Sequence, residues 1–146
     1  MKKLLLIITL LLPVTCFAQG KTDKQLIGQL RNNWTVYLQT KQLGKATDQY
    51  TDDAVFYSTG EENAVGKKAI TKLYRSVMKQ FNARIKFHSS GVTVSGDLAS
   101  DSGDYNETTV DNTTHKTAKF KGSYLMVLQR KPDGWKINRI MWTVGK

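Results

Sequence analysis

The sequence predicts an α+β domain: helices first, then an antiparallel sheet that wraps round them. Three observations carry this. As far as Phe81, apolar residues recur at helical spacing; beyond Asn82 the period turns strand-like. The second half is punctuated by short turn signals, Ser95-Gly96-Asp97, Asp111-Asn112 and Lys131-Pro132-Asp133-Gly134, which make hairpins. The 146 residues are also enough for one core and too few for two.

The first residues are read as an export signal. Lys2 and Lys3 form a basic start, Leu4 to Leu12 is an apolar run, and Cys16-Phe17-Ala18 offers small residues for cleavage. The run is short for a membrane span, so a retained anchor is the weaker reading. A lipidated Cys16 is weaker still, because Pro13-Val14-Thr15 lacks the usual small residue. Residues 1–18 are therefore expected to be a signal peptide, leaving a domain over 21–145 that is periplasmic or extracellular, with no membrane span. Cys16 is the single cysteine, so the exported domain has no disulfide and must rely on its core. The whole chain carries +10; without Lys2 and Lys3, 20 basic residues face 12 acidic ones, about +8. Export and the lack of a long basic run argue against a nucleic-acid partner.

Thr22-Asp23-Lys24-Gln25 reads as a capping box that opens the first helix. Leu26, Ile27, Leu30, Trp34, Tyr37 and Leu38 form its apolar stripe, and Gly44 is expected to end it. A short helical piece over 45–50 follows. Asp52 and Asp53 should break it, and Ala54 to Tyr57 is strand-like. Ser58-Thr59-Gly60 is a turn signal. The third helix is expected over 67–81, with Ile70, Leu73, Tyr74, Val77 and Phe81 on one face. Strands follow at 84–95 (irregular at Ser89-Ser90-Gly91), 98–110, 115–130 and 135–144. In the turn before the last strand, proline presets one dihedral and glycine allows the positive one.

Five stretches, in order, resemble the nuclear transport factor 2-like superfamily, in its SnoaL-like and ketosteroid-isomerase-like branches. They are Tyr50-Thr51-Asp52-Asp53-Ala54; Gly66-Lys67-Lys68-Ala69-Ile70; Ser95-Gly96-Asp97-Leu98-Ala99 with Gly103 and Tyr105; Lys121-Gly122-Ser123-Tyr124-Leu125; and Asp133-Gly134-Trp135-Lys136-Ile137 running to Trp142. The resemblance implies a cone: a curved antiparallel sheet around three helices, with a pocket at the open end and dimers that pair sheet faces. The residues agree. Tyr124 to Leu128 is apolar at every position, so both faces of that strand need cover. A second copy meeting Leu125 and Val127 is the simplest cover, a folded-over loop the other.

Aspartate favours turns because its carboxylate accepts nearby backbone N–H bonds, so Asp52 and Asp53 are read as structural rather than catalytic. In the isomerases the resemblance places the catalytic base at Ser58, the second acid near Met126 and the tyrosine donor near Trp34. None of these types is retained, and serine without a base does not abstract a proton from carbon. His88 and His115 lack metal-ligand spacing, so neither metal nor cofactor is expected. Asp101 and Asp104 differ in parity, so one of them faces inward; Asp104 is the candidate acid if it does. Trp34, Phe56, Ser58, Tyr124, Met126 and Trp142 are expected to converge on an aromatic-lined pocket for a small hydrophobic molecule. The leading expectation is a ligand-binding homodimer. The alternatives are an isomerase, cyclase or hydratase using Asp104 or a bound water, and a dimeric interaction module with a filled pocket.

Overall fold

A computed structural model describes residues 21–60 and 62–145. The expected signal peptide, residues 1–18, lies outside the described residues. Among these, no helix is long and apolar enough to cross a membrane.

Helix α1, Asp23–Gln39, opens on the capping box: the Thr22 side chain accepts from the Gln25 N–H, and the Gln25 side chain accepts from the Thr22 N–H. Its buried stripe is Ile27, Leu30, Trp34 and Leu38. The helix ends earlier than expected. Thr40 caps it and Lys41, with φ 56°, makes the left-handed turn, so Gly44 falls inside the next helix, α2, Leu43–Thr47.

Strand β1 covers Tyr50–Tyr57 and so includes the acid pair, which was expected to precede it. Its pairing register shifts between Tyr50 and Val55. That irregularity breaks the alternation and leaves Asp52 and Asp53 both exposed. A two-residue strand, β2, Ala64–Val65, pairs back on β1 and was not anticipated. Gly66, at φ 84°, turns the chain into α3, Lys67–Gln80. Phe81 belongs to the next strand rather than to α3.

The remaining strands are β3 Phe81–Ser95, β4 Leu98–Asp111, β5 Thr117–Lys131 and β6 Gly134–Val144. The expected irregularity in β3 is a register shift between Ser89 and Gly91. Gly103 faces it, and a Cβ there would lie 2.0 Å from the His88 carbonyl oxygen, so only glycine fits. The sheet order is β2-β1-β6-β5-β4-β3. The sheet is mixed, not purely antiparallel: β1 lies parallel to β6. The reason is topological. After β1 the chain leaves through α3 to the far edge and meanders back by hairpins, so β6 arrives beside β1 in the same direction.

Helices α1 and α3 pack on the inner face, α1 mainly on β3 and α3 mainly on β1. The core joins Ile27, Leu30, Trp34 and Leu38 to Tyr50, Ile70, Tyr74, Met126, Leu128, Ile137 and Ile140. At one end, Arg130 clamps Asp23 by two bonds of 2.8 and 2.7 Å and stacks 4.4 Å from the Trp135 ring. The Trp135 N–H also donates to Asp23, at 3.1 Å. This ties the start of α1 to the β5–β6 hairpin.

Candidate functional site

At the other end, Leu38 of α1, α3, the ends of β1 and β6, the starts of β3 and β5 and the second half of β4 leave a cavity of about 350 Å³. From α3 come Leu73, Tyr74, Val77 and Met78, on the side of the helix away from Lys68, Lys72 and Lys79. Phe56 and Ser58 come from the β1 end, Trp142 and Val144 from β6. The sheet adds Ala83, Ile85, Tyr105, Glu107 and Phe120. These are inward positions because β3, β4 and β5 pair in register, which sets Ile85, Glu107 and Phe120 in one row and Phe87 and Tyr105 in the next.

Of the expected pocket residues, Phe56, Ser58 and Trp142 line the cavity. Trp34, Tyr124 and Met126 do not: they are buried in the core behind it. The aromatic convergence itself is present. Trp142 is its hub, with ring centroids 5.8 Å from Trp34, 5.9 Å from Phe56, 5.6 Å from Phe87 and 5.3 Å from Tyr105. The Trp142 indole N–H is buried without an acceptor.

Asp104, the candidate acid, is on the outer face. It is exposed and accepts from the Ser123 hydroxyl at 2.9 Å. Asp101 takes the inward parity instead, but it is consumed structurally. It is completely buried, and it accepts from Arg31 Nη1 at 2.5 Å, Ser89 Oγ at 2.6 Å and Tyr124 OH at 3.1 Å. Asp52 and Asp53 are exposed and line no part of the cavity: Asp52 lies 3.5 Å from Lys67, and Asp53 accepts from Asn138 at 3.2 Å. His88 sits beside Asp104 on the outer face. Among the described residues no three potential metal ligands cluster.

Two groups at the cavity were missed. Tyr74 lines it and shares a 2.5 Å hydroxyl–hydroxyl bond with Tyr50; burial raises both phenols, so both stay neutral. Glu107 lines it too, and burial among apolar neighbours raises its carboxyl above the ordinary glutamate range. The Tyr105 phenol beside it is raised by burial first and then by the Glu107 charge. The signal for Glu107 was parity: it follows Asp101, Gly103 and Tyr105 at two-residue steps.

The family model for SnoaL-like domains matches residues 21–140. No curated protein matches the chain. Among solved structures, the chain is similar to a ketosteroid isomerase-like protein from Erwinia carotovora atroseptica at 19% identity and TM-score 0.78, over 87% of this chain and 99% of that one. It is similar to a nuclear transport factor 2-like superfamily protein from Salmonella enterica serovar Typhimurium at 20% identity and TM-score 0.76, over 85% and 92%. A conserved protein from Planctomyces limnophilus matches at 13% identity and TM-score 0.78, over 84% and 98%. These likenesses carry the fold: helices in a curved six-stranded sheet, as in the nuclear transport factor 2-like superfamily. With the family model spanning nearly all the described residues, the chain belongs to the SnoaL-like domain family.

Proposed function

We propose that this chain is an exported small-molecule-binding domain whose cavity takes a hydrophobic ligand. The observation that carries the reading is the cavity itself. No side chain of the described residues fills it; it measures about 350 Å³ and is walled by Phe56, Leu73, Val77, Met78, Phe120 and Trp142, with few polar groups among them. Small-molecule sites are built this way, and the volume suits a compact ligand. An enzyme working through Asp104 has less support, since that carboxylate is exposed on the outer face. A filled interaction module has less support for the opposite reason, the open volume. The test is tryptophan fluorescence against a panel of hydrophobic alcohols, steroids and flavonoids. A saturable change is expected in wild type and in Trp135→Phe, and its loss in Trp142→Phe. A response that survives Trp142→Phe and vanishes in Trp135→Phe contradicts the assignment.

Two further parts of the reading rest on separate observations. Export rests on the basic start, apolar run and Cys16-Phe17-Ala18 of the sequence. Deleting residues 1–18 should give soluble protein, and an insoluble or membrane-bound product counts against it. Homodimer formation rests on the convex sheet face, where Leu125 and Met141, cross-strand partners, are 40% and 43% exposed beside Val127. Val127→Asp should yield monomer in analytical ultracentrifugation; wild type already monomeric at tens of micromolar ends the idea.

A further inference from the structure

We infer that the cavity selects a cationic amphiphile, a hydrophobic amine or ammonium compound, with Glu107 as the counter-charge for its head group. The inference rests on the ligand-binding reading of the same cavity and adds the ligand's charge.

The register of the sheet carries the argument. Glu107 stands between Ile85 on β3 and Phe120 on β5. Along its own strand the inward neighbours are Tyr105 and Thr109; the flanking inward row on the other side is Ala83 and Ala118. None of these carries a charge. Apart from Arg130, which lies at the far end of β5 and is clamped on Asp23, the cations of the neighbouring strands have the opposite parity. Arg84 and Lys86 flank Ile85, Lys119 and Lys121 flank Phe120, and all four are exposed. Glu107 consequently has no ion-pair or side-chain hydrogen-bond partner among the described residues, in a chain with 22 basic and 12 acidic residues. Among the described residues no lysine, arginine or histidine lines the cavity, and no second carboxylate does.

An unpaired carboxylate in apolar surroundings favours whatever brings it a positive charge or a strong donor. It also repels a carboxylate or phosphate head group that would have to be buried beside it. The surrounding rings act in the same sense. Tyr105, Trp142, Phe56 and Phe120 line the same space, and aromatic faces attract cations. An ammonium on an apolar body would therefore meet a counter-charge, aromatic faces and an apolar wall together. Fatty acids and other anionic amphiphiles are predicted to be excluded despite the positive net charge of the chain, because that charge is carried elsewhere on the surface.

The test uses three probes with one tail: octylammonium, 1-octanol and octanoate, titrated calorimetrically near neutral pH into wild type, Glu107→Gln and Glu107→Asp. Charge-assisted hydrogen bonding predicts that wild type binds octylammonium about tenfold or more tighter than octanol. Octanoate should bind more weakly than octanol. In Glu107→Gln, octylammonium and octanol should come within about threefold of each other, and octanoate should improve. Glu107→Asp keeps the charge and should keep the order. Octanoate as the tightest wild-type ligand, or an ammonium preference unchanged in Glu107→Gln, overturns the inference. The two layers separate cleanly. If all three probes bind wild type equally, only the charge selection fails. If none binds, the cavity reading fails with it.

Discussion

Asp101 and Glu107 lie on the same strand and the same face, six residues apart, in opposite situations. Asp101 is fully buried and fully occupied: Arg31, Ser89 and Tyr124 all donate to it. Glu107 is only partly buried, yet nothing in the described chain answers its charge. Burial alone therefore does not identify a functional group in this fold. The more deeply buried carboxylate ties α1 to the sheet; the shallower one, without a partner among the described residues, lines the cavity. A buried charge that its own protein pairs is architecture, and one left unpaired at a cavity wall is available to a ligand.

Removing the paired carboxylate should have the largest effect. Asp101→Asn leaves the Arg31 guanidinium, mostly buried, without its counter-ion. Loss of one member of such a pair is expected to cost about 3 kcal/mol or more, read from chemical denaturation. A cost under about 1 kcal/mol would mean that Arg31 finds water, and the contrast with Glu107 would weaken.

Tyr74 is intermediate, since its ring lines the cavity while its hydroxyl is paired with Tyr50. Tyr74→Phe strands one buried hydroxyl and should cost about 1–2 kcal/mol in the same assay.

Glu107→Gln should move stability the other way. The folded carboxyl holds its proton to higher pH than the unfolded chain does. In that window the folded state binds more protons, so wild-type stability falls as pH rises through it. Near neutral pH the glutamine variant escapes this penalty and should melt roughly 1–3 °C higher. At about pH 4, below the usual glutamate value, the advantage should vanish. A variant that melts lower near neutral pH would show that Glu107 has a stabilising partner. The smallest effect belongs to Asp52, which is almost wholly exposed beside Lys67. Asp52→Asn should stay within about 0.5 kcal/mol of wild type.

The fold was legible because each half carries one clean period. The Ile27, Leu30, Trp34, Leu38 stripe and the turn at Pro132-Asp133 are local signals, and local signals set the helices and hairpins. The parallel pairing of β1 with β6 is not local; it follows from where α3 carries the chain. The two-residue β2 is too short to have a period. Half of the pocket set was legible. Phe56 and Trp142 are aromatics at strand ends, and both reach the cavity. Trp34, Tyr124 and Met126 share the inward-facing signature, and sequence does not say whether such a residue fronts a cavity or fills the space behind one. Glu107 was hidden by its setting, Asn106-Glu107-Thr108-Thr109, where every side chain is polar and no alternation marks the inner face. Only the parity running from Tyr105 distinguishes it. Asp104 drew attention in its place because the strand face had to be guessed.

The most direct test of the account is where a ligand lands. Titrating 1-octanol into protein labelled at methionine methyls and tryptophan indoles, and following the NMR shifts, separates the two ends of the molecule. Met78 and Trp142 line the cavity; Met126 is buried in the core, and Trp135 lies in the Asp23–Arg130 clamp. The account predicts saturable shifts at Met78 and Trp142, with Met126 and Trp135 unmoved. Shifts at Trp135 or Met126 while Met78 and Trp142 stay still would contradict it.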